Sequence, residues 1–415
     1  MRIFFSILII LLLGSLNSYS QSLNDYLRIA AENNPALQAK YKDFEAAMQK
    51  IPQVNALPDP TLSFGYFISP VETRVGPQKA RFSLTQQFPW FGTLKAQEDA
   101  ATLMAEAKYQ AFIDARNKLY FQVSSAYFPL FELEKWKKIE EENISILESY
   151  KEIVSRRFEN GNGSLTNILR VDMMLNDAKT NLNILTNQEK PLTTAFNQLL
   201  NRDANEFIVV NDPLSANMLT EEYRKDSMLR SNPIINELNL LEQASKAAEN
   251  AAIKQGLPKF GVGVDYVIVG ERMDIAMPEN GKDALMPMVT LSIPIFRGKY
   301  NAAVKEAVLT QEKYSLQKKD RMNFLMAEYD MVMFEINQQL QLKSLYEDQI
   351  QTTNQTLNLL FKDYSNSGKD FEEVLRMQQQ LLKYRKLKAT ALKQYHISIA
   401  KLNYLTAKTY QYESK

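Results

Sequence analysis

The side chains that most often perform catalysis are scarce in this chain of 415 residues. It contains no cysteine, which excludes disulfides, thiolate metal sites and thiol nucleophiles. Its single histidine, His396, excludes any site built from several histidines. No phosphate-binding loop, nucleophile elbow or carboxylate dyad stands out. We therefore predict that the protein is not an enzyme and uses no cofactor.

Methionine is the remaining residue type with metal chemistry, and the chain has 16 of them. Met322, Met326 and Met333 recur at helical spacing, and thioethers suit soft Cu(I). The same spacing is typical of core packing, where methionine fills irregular gaps. We favour packing and predict no metal site.

The first residues have the pattern of a secretory signal. Arg2 precedes the apolar run Ile3–Leu13, and a small, polar stretch ends at Ser20. This predicts a signal peptide over residues 1–20, with cleavage before Gln21. A retained anchor is the alternative, but the run is shorter than the ~20 residues that a spanning helix needs. Without Arg2 the chain has 48 basic and 48 acidic residues, so no nucleic-acid partner is indicated.

The two halves of the chain repeat one pattern. Asn34-Pro35 recurs as Asn232-Pro233, and Leu169-Arg170 recurs as Leu375-Arg376. Such agreement indicates a tandem duplication. The predicted segments are a signal peptide (1–20), a first structural repeat (21–201), a linker (202–231), a second structural repeat (232–407) and a C-terminal tail (408–415).

Each repeat contains a pair of segments in which apolar residues alternate with others, which predicts strands. The strands are expected at Thr61–Ser69, Arg81–Phe88, Phe260–Val269 and Met288–Ile295, in the β-hairpins 61–88 and 260–295. If the protein lies in a membrane, it must do so as a β-barrel, because no later segment is apolar enough for a spanning helix. Four strands cannot close a barrel, so the sequence also predicts oligomerisation.

After each hairpin the apolar period becomes helical, as in a coiled-coil seam. Leu94–Glu159 and Tyr300–Tyr364 would each run about 65 residues, or roughly 100 Å. A cluster of Gly, Asn and Ser follows each and can turn the chain back into a second helix, at Leu165–Asn201 and Phe371–Ala407. Pro129 and Pro191 fall inside these helices and are expected to kink them.

This order of elements resembles the TolC family of outer-membrane efflux proteins. The more specific matches are Asn34-Pro35 and Asn232-Pro233, Pro89-Trp90-Phe91-Gly92 and Pro294–Gly298 after the hairpins, and Arg157–Gly161 at the first turn. The resemblance implies a mainly α fold with a small β part. Duplicated long-helix hairpins would form an α-barrel tunnel, and four strands per protomer would join a twelve-stranded transmembrane β-barrel shared by a trimer.

The resemblance also implies a function. The chain would be the outer-membrane channel of a tripartite efflux or type I secretion system, passively conducting substrates to the exterior. Its partners would be two further copies, a periplasmic adaptor (membrane fusion) protein, an inner-membrane transporter of the RND type and outer-membrane lipid. It would lie in the outer membrane of a Gram-negative bacterium, with the tunnel in the periplasm. Without cysteine it would not be lipid-anchored.

By the same resemblance, the helical turns would be sites. Adaptor-docking tips are expected at Gly161, Gly163, Ser164, Leu165, Ser367 and Gly368. A plain helix end and turn would use the same residue types. A periplasmic gate is expected at Arg170, Glu373 and Arg376, where family members often carry acidic residues but this chain has two arginines, and Asn167 instead of an acid. Solvated surface charges are the alternative for these three.

Two further alternatives stay open. The aromatic residues Tyr66, Phe82, Phe88 and Trp90 fit a membrane-interface belt, although packing beside the helices suits Phe88 and Trp90 equally well. The chain as a whole could be a periplasmic coiled-coil adaptor or a scaffold without a membrane barrel. The duplicated β-hairpins count against both.

Overall fold

The structure is a computed structural model that describes residues 22–210, 216, 219, 223, 225–274, 276–367 and 371–408. The predicted signal peptide lies outside the described residues, as do Gly368 and nearly all of the predicted tail. The chain forms two compact units. One comprises residues up to 39, 113–232 and 323 onward, and the other comprises 40–112 and 233–322, so each unit draws on both repeats.

Long helices dominate the described chain. They are α1 (Leu23–Asn33), α2 (Pro35–Asn55), α3 (Thr93–Glu159), α4 (Leu165–Leu199), α5 (Lys225–Ser231), α6 (Pro233–Gln255), α7 (Gly298–Ser367) and α8 (Phe371–Leu405). The predicted long helices and their return helices are confirmed to within three residues. Helix α3 continues through Pro129 and α4 through Pro191 without a break. None of the described helices is long and apolar enough to cross a membrane.

Four antiparallel strands form one sheet in the order β1 (Thr61–Thr73), β2 (Gly76–Phe88), β3 (Lys259–Val269) and β4 (Ala284–Ser292). The prediction for the last strand, Met288–Ile295, was wrong at both ends, because the strand begins at Ala284 and ends at Ser292. Ser292 pairs with Lys259, the first residue of β3, so no partner remains beyond it. Pro294, which has no N–H to donate, also cannot continue the ladder. The mainly α fold with a four-stranded antiparallel part is confirmed.

The repeated Asn-Pro motif has the same structural role in both repeats. Asn34 ends α1, and its Oδ1 accepts hydrogen bonds from the N–H groups of Ala36 (3.0 Å) and Leu37 (3.1 Å). Its Nδ2 donates to the carbonyl of Leu199, 2.9 Å away. Asn232 likewise donates to Leu405, also at 2.9 Å. Each asparagine therefore ties the start of one helix to the end of a return helix, and proline is favoured at the first helical position.

Buried ion pairs join α3 to α8. Lys386 Nζ lies 2.5 Å from the carboxylate of Glu140, whose side chain is 1% exposed. Lys393 pairs with Glu132 at 2.9 Å. The amide of Gln378 donates to Asn143 over 3.1 Å. Because an unpaired buried charge is strongly destabilising, this arrangement favours one relative position of the two helices.

Candidate functional site

The four-stranded sheet has two faces of opposite character. On one face, apolar and aromatic residues align across the strands, including the rows Leu62–Leu84–Val264–Pro287 and Phe64–Phe82–Tyr266–Leu285. These side chains are exposed, and Val289 on β4 is 82% exposed. An exposed apolar surface of this extent indicates contact with lipid or with another protein.

The other face carries small and polar side chains. One row consists of Ser63, Ser83, Asp265 and Met286, and the next contains Gly65 and Arg81. Apolar residues alternate with small or polar ones along β1, β2 and most of β3, whereas β4 also places Met286 and Met288 on this second face. Such alternation is the pattern of a transmembrane strand with a lipid side and a lumen side.

The four aromatic residues that the sequence left between a membrane-interface belt and packing fall into two pairs. Tyr66 and Phe82 lie on the exposed apolar face. Phe88 instead stacks on Phe260, with ring centroids 5.8 Å apart, and Phe91 contacts the same ring at 5.5 Å. Trp90 packs edge-on against Phe91. Phe88 and Trp90 therefore pack against neighbouring aromatic rings.

At the first turn, glycines set the backbone. Gly161 follows α3 in the left-handed region, with φ at 74°, and the N–H of Asn162 bonds to the carbonyl of Arg157 at 2.9 Å. This closure is common at helix ends. A Cβ on Gly163 would lie 2.7 Å from the backbone nitrogen of Phe158, so only glycine fits there. Ser164 then caps α4, because its Oγ accepts from the N–H of Thr166.

The first turn exposes apolar side chains that the second repeat buries. Leu165 and Leu169 are 52% and 55% exposed, whereas their counterparts Phe371 and Leu375 are 2% and 5% exposed. The exposed apolar side chains Phe158 and Met173 flank the two leucines. We call these four residues the tip stripe: Phe158, Leu165, Leu169 and Met173.

Arg157 links the ends of the two long helices. Its Nη2 donates to the carbonyl of Ser365 over 2.6 Å, and its guanidinium carbon lies 4.7 Å from the centre of the Tyr364 ring. Tyr364 also packs on Phe371, with centroids 4.7 Å apart. Ser367 is the last residue of α7, and Gly368 lies outside the described residues.

The three predicted gate residues lie near the starts of α4 and α8, and all three are in ion pairs. Arg170 Nη1 lies 2.5 Å from Glu372, which links α4 to α8. Arg376 pairs with Glu373 one turn away on its own helix. Glu372 is a residue that the sequence analysis missed. The signal was its position beside Glu373, but only the packing of α4 on α8 shows which of the two acids faces Arg170.

The residues considered for chemistry have ordinary surroundings. His396 stacks on Phe128, with centroids 5.1 Å apart, and burial lowers its pKa to about 4. Met322, Met326 and Met333 are half-buried on α7, beside the buried Leu325 and Val332. Among the described residues, no group of His, Cys, Asp and Glu could hold a metal ion.

Comparison with known proteins confirms the resemblance. Residues 26–202 match the model of the outer membrane efflux protein family. The fold is shared with the outer-membrane channel OprN (16% identity, TM-score 0.76, covering 93% of this chain and 90% of that one). It is also shared with the outer membrane protein VceC of Vibrio cholerae (15%, 0.74, 92% and 95%) and the outer membrane channel MtrE of Neisseria gonorrhoeae in its open state (16%, 0.72, 92% and 88%). No curated protein sequence matches the chain.

Proposed function

We propose that the protein is a passive outer-membrane duct. The proposal starts from its fold, which it shares with outer-membrane channels, and from its first repeat, which matches the efflux family. Three copies would share one twelve-stranded barrel, to which each contributes its four-stranded sheet. The duct would receive substrates from an inner-membrane transporter of the RND type through a periplasmic adaptor. Export by a type I secretion system would use the same duct.

The observation that carries this proposal is the two-faced sheet. Its apolar face would be stable against lipid, and its polar face would line water. Among the described residues, the outer strands β1 and β4 each have one paired and one open edge. Open edges are not tolerated in lipid, so neighbouring copies would have to close the barrel. A coiled-coil adaptor or scaffold has no need of such a sheet.

Two adjacent residues of β4 provide a test, because Val289 and Thr290 are both exposed but lie on opposite faces. Val289→Arg should abolish membrane assembly, since an arginine facing lipid costs about 2–4 kcal/mol per copy at the bilayer midplane. Thr290→Arg should be tolerated, because its side chain would lie in water. Carbonate-resistant membrane association and a heat-sensitive trimer band on gels are the measurements. Equal behaviour of the two variants, or a carbonate-soluble monomeric parent, would refute the proposal.

At the turns we propose that an adaptor docks and that a gate holds the duct closed. The tip stripe supports docking, because exposed apolar groups at a turn are available to a partner. The docking surface would comprise Gly161, Gly163, Ser164 and Leu165 of the first turn with Ser367 and Gly368 of the second. The gate would comprise Arg170, Glu373 and Arg376, together with Glu372. Exposed ion pairs contribute only about 0–1 kcal/mol each, so adaptor binding could break them.

A further inference from the structure

A buried carboxylate lies in the middle of the polar face of the sheet. The side chain of Asp265 on β3 is 0% exposed. Its Oδ1 accepts a hydrogen bond from the hydroxyl of Ser83, the residue directly opposite on β2. Its Oδ2 accepts from Nη2 of Arg81 in the next row of the same face. Two donors from the neighbouring strand therefore hold this charge.

The ion pair is uneven in its exposure. Arg81 is 44% exposed. The residue opposite it on β1 is Gly65, which has no side chain to cover the guanidinium. The sulfur of Met288 lies 3.9 Å from Nη2 on another side. The guanidinium is thus open to water while the carboxylate beneath it is covered. Three neighbouring rows of this face pass through Gly263, Asp265 and Val267 of β3. Within the described strands, Arg81 and Asp265 are the only charged side chains in these rows.

We propose that Asp265 neutralises Arg81 on this face and so keeps the channel from becoming anion-selective. This inference rests on the proposed function, in which the polar face lines the lumen. Three copies of the pair would then encircle the lumen, with the guanidinium groups toward the water. Because the charges of a carboxylate and a guanidinium cancel, each pair has no net charge. Loss of the carboxylate charge would leave a ring of uncompensated cations, which attracts anions and repels cations.

The experiment uses the purified full-length protein in planar bilayers with a gradient of KCl at low ionic strength. The Debye length rises to about 30 Å in 0.01 M salt, so a ring of wall charges acts across the lumen. The reversal potential gives the permeability ratio of chloride to potassium. For Asp265→Asn, whose amide keeps one acceptor oxygen for Arg81 and offers an N–H to the hydroxyl of Ser83, this ratio should rise about twofold or more. The double variant Arg81→Gln/Asp265→Asn should return to the ratio of the parent protein.

Thr290→Arg is the matched positive control, because it adds a cation to the same face without touching the pair. A rise in the ratio for Thr290→Arg but not for Asp265→Asn would overturn the inference. No change for either variant would overturn it as well, since the face would not then line the current path. Absence of any channel with the parent protein would instead contradict the proposed function. Each variant is first checked for a parent-like trimer band.

Discussion

Single residues in this protein show how a buried polar group decides local structure. Glu140 is almost fully covered, yet Lys386 lies 2.5 Å from its carboxylate. The indole of Trp136 donates to the carbonyl of the same lysine over 3.2 Å. Asp265 in the sheet is held in a similar way by Arg81 and Ser83. In both places the charge is tolerated only because a neighbouring element supplies its partner.

His396 is a buried polar group with a different outcome, because burial keeps it neutral. Its pKa is lowered to about 4, whereas an unfolded histidine titrates near 6.5. The unfolded chain therefore takes up a proton first as the pH falls. The stability that neutral His396 contributes is fully present above about pH 6.5 and is lost progressively down to about pH 4, by at most about 3 kcal/mol.

The variant His396→Phe should lack this component of acid sensitivity, because phenylalanine keeps the stacking on Phe128 but does not ionise. Between pH 7 and pH 4 the melting temperature of the parent protein should fall further than that of the variant. Circular dichroism of the detergent-solubilised proteins measures both. Above pH 7 their difference should be constant, which serves as the control. A parallel decline in acid would contradict the prediction.

Among the elements, the two helical turns differ although they occupy matching places in the two predicted repeats. Tyr364, Phe371 and Leu375 of the second turn enter a buried cluster with Tyr150 and Val171. The matching residues of the first turn form the exposed tip stripe. The first turn therefore has an unsatisfied apolar surface, and the second contributes to the core. A docking partner is expected to bind chiefly to the first turn.

The double variant Leu165→Ser/Leu169→Ser tests this expectation. It should fold normally, since both side chains are exposed, and should retain much less adaptor because the apolar contact is lost. Quantitative mass spectrometry of complexes purified from cells measures the retained adaptor. Ile184→Ser on the same helix is the control, because that residue is 58% exposed but lies farther from the turn. Equal retention in all three proteins would rule out docking at the stripe.

At the scale of the whole molecule, the duplication did not produce one compact unit per repeat. Each unit combines segments of both predicted repeats. The strand pair β2–β3 joins the two hairpins in one sheet. The ion pair of Arg170 and Glu372 joins the first repeat to the second in the same way. In the proposed duct, an opening motion at the turns would have to break ion pairs such as that of Arg170 and Glu372.

If Arg170 and Arg376 belong to the proposed gate, their removal should change conduction. The double variant Arg170→Ala/Arg376→Ala is expected to raise the single-channel conductance, because the ion pairs with Glu372 and Glu373 are lost. Planar-bilayer recording is the measurement. Arg156→Ala is the matched control, since Arg156 pairs with Glu152 on its own exposed helix surface. If the double variant and the control both conduct like the parent protein, these arginines do not form a gate.

The sequence by itself determined the long helices, their return helices and the strand pairs, and the order in which they occur. Apolar periods of two and of about 3.6 residues predict strands and helices because burial is periodic along the chain, and the Asn-Pro and Gly-rich signals mark where helices start and turn. The strand ends were less predictable. Each strand ends where its neighbour offers no further partner, and β4 ends at Ser292 because Ser292 pairs with Lys259, the first residue of β3.

Only the tertiary structure decided which side chains meet. Arg170 faces Glu372 rather than Glu373, and Asp265 receives its two donors from a strand that is far away in the chain. It also decided that Leu165 and Leu169 are exposed while Phe371 and Leu375, of the same type and spacing, are buried. The reason is physical, because periodicity specifies that an element has an apolar face but not which neighbour covers it.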